Sequence, residues 1–189
     1  YKLEYPDGAT GGGVVTVNAA DLASGDYGAI DELILTLSFP SGLYTSGVEG
    51  AYKEQYGAVF QVFFDYSLGG NTKTVQVFGP TASEISQASI LVAANTGTFR
   101  KGGPTVSGEL VSNSETNIDF DLRFSIEQYK PFSNFAIRIK KVTPDRLLYR
   151  GGVSNYIADS TVKQVTTIIN DKLSYPHSAY AALSFDSNQ

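Results

Sequence analysis

The chain predicts an all-β fold: an antiparallel β-sandwich with long Gly-rich loops and little helix. Three observations predict it. Apolar residues recur at every second position, as in Ile118, Phe120, Leu122, Phe124 and Ile126 against Asp119, Asp121, Arg123, Ser125 and Glu127. Successive strand side chains point to opposite faces, so that run is a strand with one dry and one wet face. The 12 Tyr and 11 Phe, with abundant Thr and Val, suit a pleated, half-buried surface. Glycine-rich punctuation at residues 8–13, 25–28, 97–108 and 151–152 separates short runs, the pattern of an antiparallel sandwich.

In chain order, residues 19–22 offer a weak helical turn. Leu33, Leu35, Leu37 and Phe39 alternate with Ile34, Thr36 and Ser38, and Pro40 ends that strand. Phe60, Val62, Phe64 and Tyr66 mark another, and Val59 and Phe63 make its second face apolar, which predicts cover on both sides. Gly69-Gly70-Asn71 supplies the positive-φ residues of a turn into a strand over 74–78, a hairpin. A short helix is expected over 81–87, with Ser83 as cap and Glu84 in its first turn. Phe135, Ile137 and Ile139 oppose Ala136, Arg138 and Lys140 in a later strand, and strands over 165–169 and 179–185 complete the series. The whole reads as a single domain over 1–189, with a candidate sub-boundary near 97–108.

At 20.3 kDa the chain is long enough to bury about 70% of its unfolded surface, so its core needs no staples. Cysteine is absent, which excludes disulfides, thiolate metal sites and a cysteine nucleophile. Methionine is absent too, so this piece is expected to be processed or cut from a longer polypeptide. No apolar run approaches the length of a membrane span. The net charge of −5 is unevenly divided. Residues 1–129 carry 6 Lys/Arg against 15 Asp/Glu, a balance of −9, whereas residues 130–172 carry 8 against 3, a balance of +5. The acidic remainder would repel phosphate, which argues against nucleic acid as a partner.

Candidate chemistry is thin. His177 is the only histidine, which excludes a multi-histidine metal site; between Pro176 and Ser178 it reads as a turn residue, and one histidine without identified partners names no chemistry. Asp119 and Asp121 share a strand face with Cα atoms about 6.6 Å apart. Glycosidase carboxylates flank the sugar from opposing sides, whereas these hang from one strand beside Arg123. No calcium loop or phosphate-cradling glycine motif occurs. No catalytic residue, cofactor or metal is therefore predicted. Two sets of contact residues are. Arg138, Lys140, Lys141, Arg146 and Arg150 form a basic strip that is either a solvated face or an interface with an acidic surface of another copy. Tyr44, Tyr52 and Tyr56 follow a Pro-Ser-Gly turn in a loop that suits a protein contact or a sugar platform.

Two stretches carry more information than their chemistry. One is Phe39-Pro40-Ser41-Gly42-Leu43-Tyr44. The other runs through Ile137-Arg138-Ile139-Lys140-Lys141-Val142-Thr143-Pro144-Asp145, with Tyr175-Pro176-His177-Ser178-Ala179 and Asp186-Ser187-Asn188-Gln189 after it. Together they resemble the tail-tip host-specificity protein J family (the tip attachment, or central tail hub, proteins) of lambda-like long-tailed bacteriophages. The resemblance covers residues 39–44 and 135–189. It implies an internal piece of a trimeric hub protein, made in the bacterial cytoplasm and located at the virion tail tip. The implied partners are other copies of the parent chain, other tail-tip proteins and, through the parent protein, a host surface receptor. It transfers no catalytic or binding residue, so the implied role is structural, in tail-tip assembly and indirectly in host attachment. The alternatives are a carbohydrate- or receptor-binding sandwich using the 44–56 loop, and, last, a glycan hydrolase using Asp119 and Asp121.

Overall fold

The computed structural model describes residues 1–5, 12–22, 26–47, 57–87, 108–148 and 154–170. They form twelve strands: β1 (Lys2–Leu3), β2 (Val14–Asn18), β3 (Glu32–Phe39), β4 (Tyr44–Gly47), β5 (Gly57–Leu68), β6 (Asn71–Phe78), β7 (Glu109–Val111), β8 (Ile118–Ser125), β9 (Phe135–Lys141), β10 (Arg146–Leu148), β11 (Ser154–Ile157) and β12 (Ser160–Ile168). Two short helices, α1 (Ala19–Leu22) and α2 (Ala82–Gln87), and two 3-10 turns complete the described elements. All pairings between strands are antiparallel. The all-β, sandwich-like fold expected from the alternation is the fold observed.

One sheet runs β1-β12-β3-β8, a second β2-β9-β5-β6 with β7 also on β5, and a small third sheet β10-β11-β4. Leu33, Leu35, Leu37, Phe39 and Leu122 from the first sheet share one core with Phe60, Val62, Phe64, Ile137 and Ile139 from the second. The Phe39 and Phe60 rings meet edge to face, 6.0 Å between centroids, and join the two layers. Removing such a buried ring would cost about 3–5 kcal/mol. At the other end of β5, Phe64, Phe132 and Phe135 pack with Tyr66 and Tyr129 as an aromatic plug. Residues before and after 97–108 are interleaved in both large sheets; most of that segment lies outside the described residues.

β8 alternates as its sequence predicts, with Asp119, Asp121, Arg123 and Ser125 exposed. β5 is covered on both faces along its first half: Val59, on the side away from the main core, packs with Val142 and Ile85 of α2. The hairpin forms as expected, with Gly69 and Gly70 at φ +58° and +80°, although Asn71 is already strand, paired with Leu68. Gly79, at φ +90°, lets the chain leave β6 across β5, where any Cβ would strike the Phe60 carbonyl oxygen. β7 then pairs with Gly57, Ala58 and Val59, beyond the span of β5 that β6 pairs.

Other details depart from the sequence reading. The cap of α2 is Thr81, not Ser83. Its hydroxyl oxygen accepts from the Glu84 N–H at 3.2 Å, while the Glu84 carboxylate accepts from the Thr81 N–H at 2.7 Å. This reciprocal pair needs a hydroxyl three residues before the glutamate, which Ser83 is not. β12 begins at Ser160 and not at 165, because its polar first half is paired with β1 and β3 and carries a bulge between Val162 and Gln164 that breaks the period of two. β1 and β2 were not expected. The glycine punctuation at 151–152 falls between two strands, β10 and β11, that were not expected, and the strand expected over 179–185 lies outside the described residues.

Candidate interaction surface

The motif of β9 and the turn after it is best read residue by residue. Alternation sends Phe135, Ile137 and Ile139 inward and leaves Lys140 exposed. Arg138 is half-buried and forms a two-pronged pair with Asp65 of β5, one guanidinium nitrogen donating at 2.9 Å and the other more closely; its guanidinium also lies 5.1 Å from the centre of the Phe63 ring. That arginine holds the Asp65 carboxyl below its ordinary pKa; burial opposes the shift and the Thr74 hydroxyl adds to it.

Lys141 departs from the surface strip predicted for it. The period of two that exposes Lys140 turns Lys141 inward, and its side chain is wholly buried. The ammonium pairs with Asp145 and donates to the Ala158 carbonyl, 5.9 Å from the centre of the Phe60 ring. Burial lowers its pKa, and the charge of Asp145 opposes that shift. Asp145 also accepts from the Tyr5 N–H at 2.7 Å, while its own N–H donates to the Tyr5 carbonyl at 2.8 Å. The Tyr5 side chain is itself buried. Lys141 and Asp145 thus tie the first five residues, the end of β9 and the approach to β12 into one junction.

Thr143 and Tyr156 extend this junction and were not singled out by sequence. The Thr143 hydroxyl accepts from the Val59 N–H at 3.1 Å, and the buried Tyr156 hydroxyl donates to the Gly57 carbonyl at 3.2 Å. Burial raises the Tyr156 pKa far above its ordinary value. A Thr before Pro144 was the available signal for Thr143, since the proline halts the ladder there; nothing in its local sequence distinguishes Tyr156.

Arg146 sits at the start of β10, exposed, with its guanidinium on Asp159, one nitrogen donating at 3.0 Å. In the small sheet Arg146 is opposite Ile157, and Ile157 is opposite Tyr44. Directly opposed residues share a face, so the structure brings Arg146 and half-buried Tyr44 into one row. Arg150, Tyr52, Tyr56 and His177 lie outside the described residues. Of the four described members of the basic strip, Arg138, Lys141 and Arg146 each pair with a carboxylate of the same chain. Lys140 remains exposed and in no ion pair among the described residues.

On the Asp119–Asp121 face both carboxylates are engaged within the chain. Asp119 pairs with Lys163, which, ahead of a hydrogen bond from Ser38, lowers its pKa. Asp121 accepts from the Thr36 hydroxyl at 2.6 Å. A general acid needs its carboxyl pKa raised, the reverse of what surrounds Asp119. An open groove of about 330 Å³ beside Gly79 is lined, among the described residues, by Gln76, Val77, Phe78, Thr81 and Gly108, none of them titratable. Among the described residues no three Asp, Glu, His or Cys side chains gather as a metal site requires, and no helix is long and apolar enough to cross a membrane.

Comparison with known proteins adds no relative: no family model, no curated protein and no solved structure matches this chain.

Proposed function

We propose that this chain is a structural module of a bacteriophage tail-tip hub protein, working through contacts between chains rather than through catalysis. One observation carries the reading. The two stretches that resemble the hub family, far apart in sequence, lead into the two outer strands of the same small sheet. Gly42-Leu43-Tyr44 leads into β4, Thr143-Pro144-Asp145 into β10, and β11 lies between them. Each stretch is built for that turn. Gly42, at φ +85°, donates to the Phe39 carbonyl at 3.0 Å and stands so close to the Ser114 carbonyl that no Cβ fits. Leu43 is fully buried and donates to the Ser114 carbonyl at 2.9 Å. Thr143 is held by the Val59 N–H and Asp145 by Lys141 and the Tyr5 backbone. Motif residues engaged in shaping one subassembly are what a scaffold needs. Partners on this reading are further copies of the parent chain, as a trimer, and neighbouring tail-tip proteins, with a host receptor reached through the parent protein.

The test is immunogold microscopy of phage particles induced from the strain that encodes this chain, with antibody raised against it, joined to mass spectrometry of disrupted tails. Label confined to the tail tip, or its peptides in purified tails, supports the reading. Tails that lack both label and peptides sink it. The second reading, a receptor- or carbohydrate-binding surface, is favoured by the row of Tyr44, Ile157 and Arg146 on one face of the small sheet. It predicts glycan-array binding by the isolated chain that Tyr44→Ala abolishes.

A further inference from the structure

We infer that β8 is a self-complementary edge through which two copies of this chain join, each extending the other's four-stranded sheet. The inference stands on the geometry of this strand and does not depend on the tail-tip reading, whose implied contact is three-fold and not two-fold.

β8 is an edge strand: it pairs with β3 along its whole length and with no other strand among the described residues. Edges normally carry a safeguard against sheet extension, such as very short length, proline, a bulge or charged side chains. β1 is two residues long, and β6 carries Lys73 and a bulge of its own, Val77 being the extra residue between the Val62–Phe78 and Phe63–Gln76 pairs. β8 carries charges too, but of both signs: Asp119, Asp121 and Arg123. β8 has eight residues, no proline and an unbroken register with β3, and its inward positions are Ile118, Phe120, Leu122 and Phe124. Of these only Leu122 is buried; Ile118, Phe120 and Phe124 are half-buried.

The ladder fixes which backbone groups are available. Val162 exchanges both backbone hydrogen bonds with Tyr1, so it faces β1 and its neighbour Thr161 faces Ser38. Alternation along β3 then turns its odd-numbered residues toward β8, in agreement with the 2.8 Å bond from the Ile126 N–H to the Asp31 carbonyl. The even-numbered residues of β8 therefore bond to β3, and the N–H and C=O groups of Asp119, Asp121, Arg123 and Ser125 point away from the sheet.

An antiparallel second copy must oppose odd residues to odd residues to use those groups. In the register centred on Leu122, Asp121 faces the partner's Arg123, and the two-fold axis repeats that pair. Asp119 faces the partner's Ser125, and on the inner face Phe120 lies opposite the partner's Phe124. Shifting the centre to Asp121 keeps two opposite pairs, Asp119 with the partner's Arg123, but also sets two aspartates against each other. Arg123 pairs with Glu32 of its own chain, so in either register it would lie between two carboxylates. Charge therefore favours the register centred on Leu122, which also brings half-buried Phe120 and Phe124 of the two copies together. A two-fold isologous contact of this kind needs no second surface.

Sedimentation velocity of the 189-residue chain up to about 1 mM, the scale of a weak interface, tests it. A reversible dimer is expected. Asp121→Arg and Arg123→Asp each place like charges opposite one another twice and should weaken association by about tenfold. The double variant D121R/R123D restores opposite charges and should recover most of the loss, which a general surface effect would not do. Circular dichroism checks that each variant folds. Because the chain has no cysteine, Asp121→Cys and Arg123→Cys copies can also be mixed under oxidation. Opposed residues in this register fall about 5.5 Å apart between Cα atoms, within disulfide reach, so the mixture should cross-link faster than either variant alone. A monomer throughout the range, association indifferent to the charge changes, or cross-linking no faster in the mixture would overturn the inference.

Discussion

Lys141 with Asp145 and Lys163 with Asp119 are the same two groups in contact, set in two different parts of the molecule. Lys163 is more than half exposed, side chain 56%, and lies across the solvated face of the first sheet. Lys141 is wholly enclosed and its ammonium also holds a backbone carbonyl. On the open face water competes for both charges, and their attraction adds little to stability. In the junction no water replaces a lost partner, so the pair becomes indispensable once built, even where an apolar pair would have served as well. Charge therefore holds the chain together at the meeting of the first five residues, β9 and β12, while on β8 it keeps a strand wet and, by the inference above, selects its neighbour.

The largest effect that would sharpen this contrast is expected from Asp145→Ala. It strands the Lys141 ammonium in the core and frees the Tyr5 N–H, and urea titration should show a loss of about 3–5 kcal/mol. Lys141→Met keeps the volume and should cost clearly less, because Asp145 retains the Tyr5 N–H and some access to water. Equal losses for the two would break the argument. Tyr156→Phe removes one buried hydroxyl from the same region and should cost about 1 kcal/mol by the same measurement.

Asp65 with Arg138 lies between these extremes and is read by pH. The folded carboxyl titrates below its ordinary value of 3.8, so its contribution is complete above that value and disappears as pH falls through the lower folded value. Acid titration of melting temperature should show this as a component of the low-pH limb that Asp65→Asn removes. The smallest effect belongs to the exposed pair. Lys163→Ala should leave the denaturation midpoint unchanged within error, and a clear drop would show that the wet face is more structural than its exposure indicates.

How much could be read beforehand differed by region for physical reasons. Regular alternation made β8, most of β3 and the β5–β6 hairpin legible, because one face of each meets the core and the other meets water. β12 was half-missed because its Thr and Gln run and its bulge carry no apolar period. The small third sheet was invisible, since β4, β10 and β11 are three or four residues each and gain their partners only when distant segments meet. The candidate surface was partly legible. The alternation placed Arg138 and Lys140 opposite the hydrophobic face of β9, where they lie, but the carboxylates that engage Arg138 and Arg146 were not legible, because Asp65 and Asp159 are 73 and 13 residues away. Lys141 was grouped with its neighbours by charge, when its position in the alternation already pointed it inward.

The sequence by itself determined the class of fold, the wet and dry faces of its long strands and the glycine turn of its hairpin, because each depends on residues close together in the chain. Only the tertiary structure decided which strands are edges, which charges are paired and which lysine lies in the core. Those outcomes depend on partners brought together from distant positions, and on how much water the assembled sheets leave around each charge.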